Sequence, residues 1–210
     1  MSEKEEKKEN IMGTLGITRL IMKMSLPLMI SMLIQALYNI VDSMFVARVS
    51  ETALTAVSLA FPLQNLLIAF GVGTGVGMAS YLSRKLGEND TETATKAAGN
   101  GITLAVITWI LFAILGLTIV KPFMALFTDD AELLGLSTSY SEIVMIFSFF
   151  MLLSMMNERI LQGTGDSFSS MLSQMTGAIT NIILDPVFIF VFKMGVNGAA
   201  IATVIGQAVG

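Results

Sequence analysis

Two aspartates in this chain stand inside runs that are otherwise nearly all apolar, Asp42 in "LIQALYNIVDSMF" and Asp185 in "NIILDPVFIF". Ser31, Gln35, Asn39 and Asp42 recur at spacings of four, four and three, and Gln174, Asn181 and Asp185 at seven and four. Such intervals align side chains along one helical face, so each aspartate closes a polar stripe with an asparagine about one turn before it. An unpaired carboxylate away from water is expensive, and no Lys or Arg stands within either run to neutralise it. Two kinds of chemistry resolve that cost. One is proton binding, because desolvation and a second nearby carboxyl both favour the neutral acid. The other is ligation of a sodium ion by the oxygens of Asp42, Asp185 and Asn181. The residue types leave both open.

The elements that must position these groups follow from composition. Hydrophobic residues make up 54% of the 210 and charged residues 13%, against about a quarter charged in an ordinary soluble domain. The chain has no Cys and no His, which excludes a disulfide scaffold, thiol chemistry and any metal site built on thiolate or imidazole. No organic cofactor is expected, and the absence of a basic stripe sets nucleic acid aside as a partner. Residues 1–19, beginning "MSEKEEKKEN", read as a cytoplasmic tail, because they lack the short apolar core of a secretory signal.

A helix needs about 20 mostly apolar residues to cross a bilayer. Five runs meet that length, at about 21–47, 54–82, 98–120, 138–160 and 168–192, and a sixth over 198–210 stops incomplete at "VIGQAVG". The predicted fold is an all-α integral membrane bundle of six helices, the sixth truncated. Lys4, Lys7, Lys8, Arg19, Lys23, Arg84, Lys85, Lys96 and Arg159 fall on one side of such a bundle, and Arg48, Lys121 and Lys193 on the other. Cytoplasmic flanks carry the basic excess, which predicts a cytoplasmic amino terminus. With that direction fixed, Asp42 and Asp185 each lie roughly 7 to 12 Å outward of their helix midpoints. Tyr140 and Thr203 reach a similar depth on helices that run inward. Together with Asn39 and Asn181 they are predicted to share one outer cavity, with Gln35 further along the stripe.

Pro27 and Pro186 each remove a backbone donor and are expected to bend their helices, Pro186 directly beside Asp185. "GVGTGVG" lies inside an apolar span, so its Gly73 and Gly77 read as a close helix-packing pair rather than a phosphate loop. "GTGD" at 163–166 falls in a connection and lacks the Tyr-Asp partner motif of an intramembrane aspartyl protease. Glu158 and Arg159, near the inner surface, are expected to pair with each other or to meet lipid head groups.

These residues carry a resemblance. From about Leu20 to Gly210 the chain resembles the amino-terminal lobe of multidrug and toxic compound extrusion (MATE) transporters, in "MSLPLMISMLIQALYNIVDSMFVARVS", "FGVGTGVGMASYLSRKLGEND", "LQGTGDS" and "NIILDPVFIF". The resemblance implies a twelve-helix transporter of two six-helix lobes, of which this chain is about half, with the carboxy-terminal lobe missing. It implies a secondary active transporter and not an enzyme: an antiporter in the cell membrane, coupled to a proton or sodium ion, that exports amphipathic, often cationic drugs and toxic small molecules. By motif, Asp42, Asn181 and Asp185 match the family's proton- or cation-binding cluster, Tyr140 and Thr203 its supporting polar contacts, and Pro27 a proposed bend in the first helix. Gln162 departs from the basic residue common there. Two rivals are a lipid-linked oligosaccharide flippase, which would line its cavity with arginines, and the intramembrane protease.

Overall fold

Short polar connections with a capping side chain at their last position start half of the helices. In the computed structural model, which describes residues 16–210, Ser50 Oγ accepts from the Ala53 N–H at 2.9 Å and Asp90 Oδ1 from the Thr93 N–H at 3.0 Å. Asp130 Oδ1 takes the N–H groups of Glu132 and Leu133, and Asp166 Oδ1 that of Ser169. Each satisfies donors that a helix start leaves free. The helices of the described residues are α1 (Ile17–Ala47), α2 (Glu51–Gly87), α3 (Thr91–Thr118), the short α4 (Val120–Met124), α5 (Ala131–Ile146), α6 (Ser148–Gly163), α7 (Ser167–Pro186) and α8 (Val196–Val209), and the four capped ones are α2, α3, α5 and α7. No strand occurs among the described residues. The tail expected over 1–19 lies almost wholly outside them, and Arg19 already belongs to α1.

Among the described residues four helices, with α7 extended to Val191, are long and apolar enough to cross a membrane, and α5 with α6, taken together across a 48° bend, makes a fifth span. The expected single helix over 138–160 is therefore two. No proline or glycine stands at the break. Phe147 leaves the helical register there (φ −92°, ψ 11°), and neighbours satisfy the carbonyls around it: Trp109 Nε1 donates to Ile146 O at 2.8 Å and Ser148 Oγ to Met145 O at 2.7 Å. Such donors are what allow an irregular backbone at membrane depth.

Neither proline interrupts the helical backbone at its own position. α1 continues unbroken through Pro27. Pro186 (φ −63°, ψ −29°) stays helical and ends α7, but it has no N–H for the Ile182 carbonyl, and the following turn widens into a π-helical segment over Val187–Val191. Phe192 N–H then reaches back five residues to Val187 O at 2.9 Å.

Packing inverts the order of a soluble protein. Large apolar side chains such as Met22, Leu33, Leu117 and Ile183 face outward, while Ala53, Ala60, Ala199 and Ala200 are fully buried. Lipid offers no hydrophobic drive between helices, so small residues that let backbones approach do the joining. α2 packs on α3, α5 and α6, α7 on α8, and α1 mainly on α7. The glycine pair that matters in "GVGTGVG" is Gly71 and Gly75, against Leu152 and Arg159 of α6, whereas nothing lies within 4 Å of a Cβ added at Gly73 or Gly77. The spacing was right and the face was two residues off.

The tightest joint is between α7 and α8. A Cβ at Gly177 would lie 2.8 Å from Gly206 O, and one at Gly206 would lie 2.9 Å from Gly177 O. Gly177→Ala is expected to destabilise the protein by about 1–3 kcal/mol through overpacking against backbone. Gly73→Ala, on an open helical face, is expected to stabilise by up to about 1 kcal/mol. Thermal unfolding in detergent measures both, and shifts of the same sign would contradict this packing.

Candidate functional site

The two polar stripes meet. α1 lies along α7, and the carboxyls of Asp42 and Asp185 come within hydrogen-bonding reach of each other. Asp185 is completely buried, and Asp42 Oδ1 is buried with no hydrogen-bond partner. A hydrogen bond between two carboxyls requires a proton on one of them, since each carboxylate alone only accepts.

Asn181, one turn before Asp185 on α7, joins the pair to α8. In the orientation that satisfies both ends of its carboxamide, Nδ2 donates to Asp185 Oδ2 at 3.1 Å and Oδ1 accepts from the Thr203 backbone N–H at 3.1 Å. The Thr203 hydroxyl lies 3.4 Å from the same carboxamide. Tyr140 is buried on α5 within electrostatic reach of both aspartates, and its hydroxyl accepts from Gln64 Nε2 at 3.3 Å. Asp42, Asp185, Asn181, Thr203 and Tyr140 thus gather at the end of the bundle where α1 passes into α2.

Asn39 does not join them. It is exposed and lines a shallow depression with Ser43 and Met44 on another side of α1. Each four-residue step overshoots a helical face by about 40°, so two steps from Ser31 carry Asn39 away, while the three-residue step returns Asp42. Tyr38, one turn before Asp42, takes the place expected of Asn39 and stands within electrostatic reach of both aspartates. Tyr38 and Gln64 went unread because an aromatic and a lone amide do not stand out in an apolar span.

Beside the aspartate pair lies a cavity of about 350 Å³ bounded by α1, α2, α6, α7 and α8. Tyr38, Asn181 and Thr203 line it next to the aspartates. Gln35 lines its middle, and Glu158, Arg159 and Gln174 line the opposite end, toward the α2–α3 connection. The pairing expected between Glu158 and Arg159 is replaced by two separate contacts. Glu158 Oε2 accepts from Gln174 Nε2 at 2.5 Å. Arg159 Nη1 donates to Gln162 Oε1 at 2.7 Å, and Gln162 Nε2 donates to Ser170 Oγ at 2.9 Å. Gln162 works here because it both accepts and donates; a basic residue would face the Arg159 guanidinium with a like charge. An arginine therefore does border the cavity, although it is held toward α7.

"GTGD" is a helix connection. Gly165 takes φ 90°, a conformation that favours glycine, and Asp166 caps α7. Among the described residues no group of three or more Asp, Glu, His or Cys side chains forms a metal cluster. On the α2–α3 connection, hydrogen bonds from Lys85 first and Arg84 second hold the Glu88 carboxyl below its ordinary range.

A family model described as MatE matches residues 27–187. The multidrug export protein MepA of Staphylococcus haemolyticus (strain JCSC1435) is 29% identical over 195 residues, which cover 92% of this chain and 43% of MepA. Among solved structures, a MOP superfamily transporter from Pyrococcus furiosus Vc1 (DSM3638), whose reverse polarity of the binding pocket is said to suggest a different function, superposes with a TM-score of 0.93 at 30% identity. It is matched over 98% of this chain and 46% of its own. An outward-facing multidrug resistance MATE family transporter superposes at 0.91 with 31% identity, over 98% of this chain and 46% of that one. The chain spans less than half the length of the relatives it matches.

The Asn181–Asp185 contact predicts coupling between the two positions. A double-mutant cycle of Asn181→Ala and Asp185→Ala, read by thermal unfolding, is expected to give an interaction energy of about 0.5–3 kcal/mol. Additive effects would mean that the two side chains do not act together.

Proposed function

Starting from the premise that this chain belongs to the MatE family, we propose that it is the ion-coupling lobe of a secondary exporter, in which a proton shared by Asp42 and Asp185 drives alternating access. The observation that carries this reading is the double role of Asn181, which binds Asp185 and also lines the cavity. Ion occupancy at the aspartates is thereby felt where a small molecule would sit. The chain is a multi-pass membrane protein, and the basic excess supports placing the α2–α3 connection in the cytoplasm and the aspartates toward the outside of the cell membrane.

The energetics support a switch. With the proton in place, the carboxyls hold α1 to α7. Without it, two like charges face each other, and unit charges ~4 Å apart repel by about 4 kcal/mol at an effective dielectric near 20. Carrying a two-state equilibrium from 1:99 to 99:1 takes about 5.5 kcal/mol. Repulsion at the pair is of the size needed, provided one conformation binds the proton and the other does not.

A proton fits the donor pattern better than sodium. A hard cation needs several oxygens turned toward one point. Here Asn181 turns its nitrogen to Asp185 and its oxygen to Thr203. The exported molecule is proposed to be an amphipathic organic compound that binds in the cavity, and a second six-helix lobe is proposed to close the other side of the path.

The test is efflux of a fluorescent organic cation such as ethidium from vesicles carrying the whole transporter, under separate proton and sodium gradients. Wild type is expected to respond to the proton gradient with sodium balanced. Asp42→Asn and Asp185→Asn are each expected to lose about tenfold or more of that gradient-driven rate, as removing a transition between two states of a coupled pair requires. Efflux driven by sodium alone would overturn the proton assignment, and normal coupling in both variants would overturn the site.

A further inference from the structure

The coupling scheme uses Asp42, Asp185 and Asn181 and gives no part to Gln64 of α2. We propose that Gln64 is a positioning residue for the proton site: by donating to the Tyr140 hydroxyl, it turns that hydroxyl's own proton toward Asp42 and Asp185, where it meets the carboxylate left when their shared proton departs. The inference rests on the exporter reading and adds a group that sets how readily the pair lets its proton go.

Gln64 stands in the largely apolar stretch "FPLQNLLIAF", where an amide is satisfied by a polar partner on a neighbouring helix. It is half-buried, α2 packs on α5, and Gln64 Nε2 donates to the Tyr140 hydroxyl at 3.3 Å. Among the described residues this is the one hydrogen bond of that hydroxyl. A phenol oxygen can accept and also donate its single proton. With an amide N–H on one side of the oxygen, the phenol's own hydrogen points elsewhere. The titratable groups acting on Tyr140 are Asp42 and Tyr38 of α1 and Asp185 of α7, and the helices packed on α5 add no charged side chain to these. Of the three, a charged carboxylate is the strongest acceptor.

The ring is held independently of Gln64. Tyr140 is 3% exposed, and the adjacent Ser139 Oγ donates to Asn197 Oδ1 at 2.8 Å, which ties the same turn of α5 to the start of α8. What is left to set is the direction of the O–H bond, and an amide donor sets it. Accepting that bond also polarises the hydroxyl, so that it donates more strongly. A hydrogen bond donated to a carboxylate favours its charged form, so weakening this one makes the pair keep its proton to higher pH. An amide turned the other way would accept the phenol proton and withhold it from the aspartates. Removing Gln64 would then act in the opposite sense, which makes the sign of the effect decisive.

Infrared titration of the full transporter in lipid nanodiscs tests this by following the C=O band of the protonated carboxyl pair against pH, the band being assigned by its change in Asp42→Asn and Asp185→Asn. The wild-type band is expected to fade as pH rises. Gln64→Leu is expected to move its midpoint up by about 0.5–1 pH unit, less than the whole of one hydrogen bond to a charged group because the phenol remains. Tyr140→Phe is expected to move it up at least as far. Gln64→Leu added to Tyr140→Phe is expected to move it no further, because a positioning residue acts only through what it positions. A midpoint that is unchanged or lowered in Gln64→Leu overturns the inference and leaves the proton pair standing, as does a further shift in the double variant. Gln64→Met, of similar length, replaces Gln64→Leu where the latter does not fold, and loss of the fold with both makes Gln64 structural and overturns the inference too. A wild-type carboxyl band that does not titrate overturns the exporter reading along with it.

Discussion

Asp42 and Asp185 come together across the seam between α1 and α7, and two carboxyls buried side by side are costly unless one is neutral or a cation lies with them. The seam matters because of how α1 is held. It packs chiefly on α7 and touches α2 and α8 only lightly, while most of its large side chains, Met29, Leu33, Leu37 and Ile40 among them, face outward. Among the spanning helices α1 is thus the one held chiefly by a single neighbour, and the pair sits on the seam that supplies that hold. Asn181 ties Asp185 to the Thr203 backbone of α8 and lines the cavity with the same side chain.

Much of this was legible because a bilayer enforces simple rules. Span lengths, helical spacing and the expense of a buried carboxylate were enough to single out Asp42, Asn181 and Asp185 and to call an all-α membrane bundle. What escaped the sequence was decided by neighbours far along the chain. The break at Phe147 has no local cause; it is tolerated because Trp109, 37 residues earlier, donates to the Ile146 carbonyl. Gly71 and Gly75 have the same spacing as Gly73 and Gly77, and only the position of α6 decides which pair is buried. Asn39 was misplaced by treating four-residue steps as if they kept to one face, a drift that three- and four-residue steps together would have corrected.

Packing and site chemistry prove to be the same problem at the α7–α8 joint. Gly177 and Gly206 let the two backbones close, and a Cβ at Gly206 would stand 3.0 Å from that of Asn181. Only at such separation can the Asn181 carboxamide take the Thr203 N–H at 3.1 Å while its other end reaches Asp185. The glycines carry no chemistry, yet they set the distance on which the polar link depends.

Pro186 belongs to the same construction. With no N–H for the Ile182 carbonyl, it obliges the chain after Asp185 to adopt a different hydrogen-bond register, and the register taken is the wide one over Val187–Val191. That widened turn lies against α8 so closely that a Cβ at Gly198 would stand 2.8 Å from the Phe188 carbonyl carbon. A sharp kink would have swung the end of α7 off α8 and opened the contact. Widening the turn keeps α7 on α8 on both sides of Asp185, at Gly177 before it and at Phe188 after it. The carboxyl is therefore held on a backbone fixed at two points, while Asp42 stands on a helix whose main packing is the α7 seam itself.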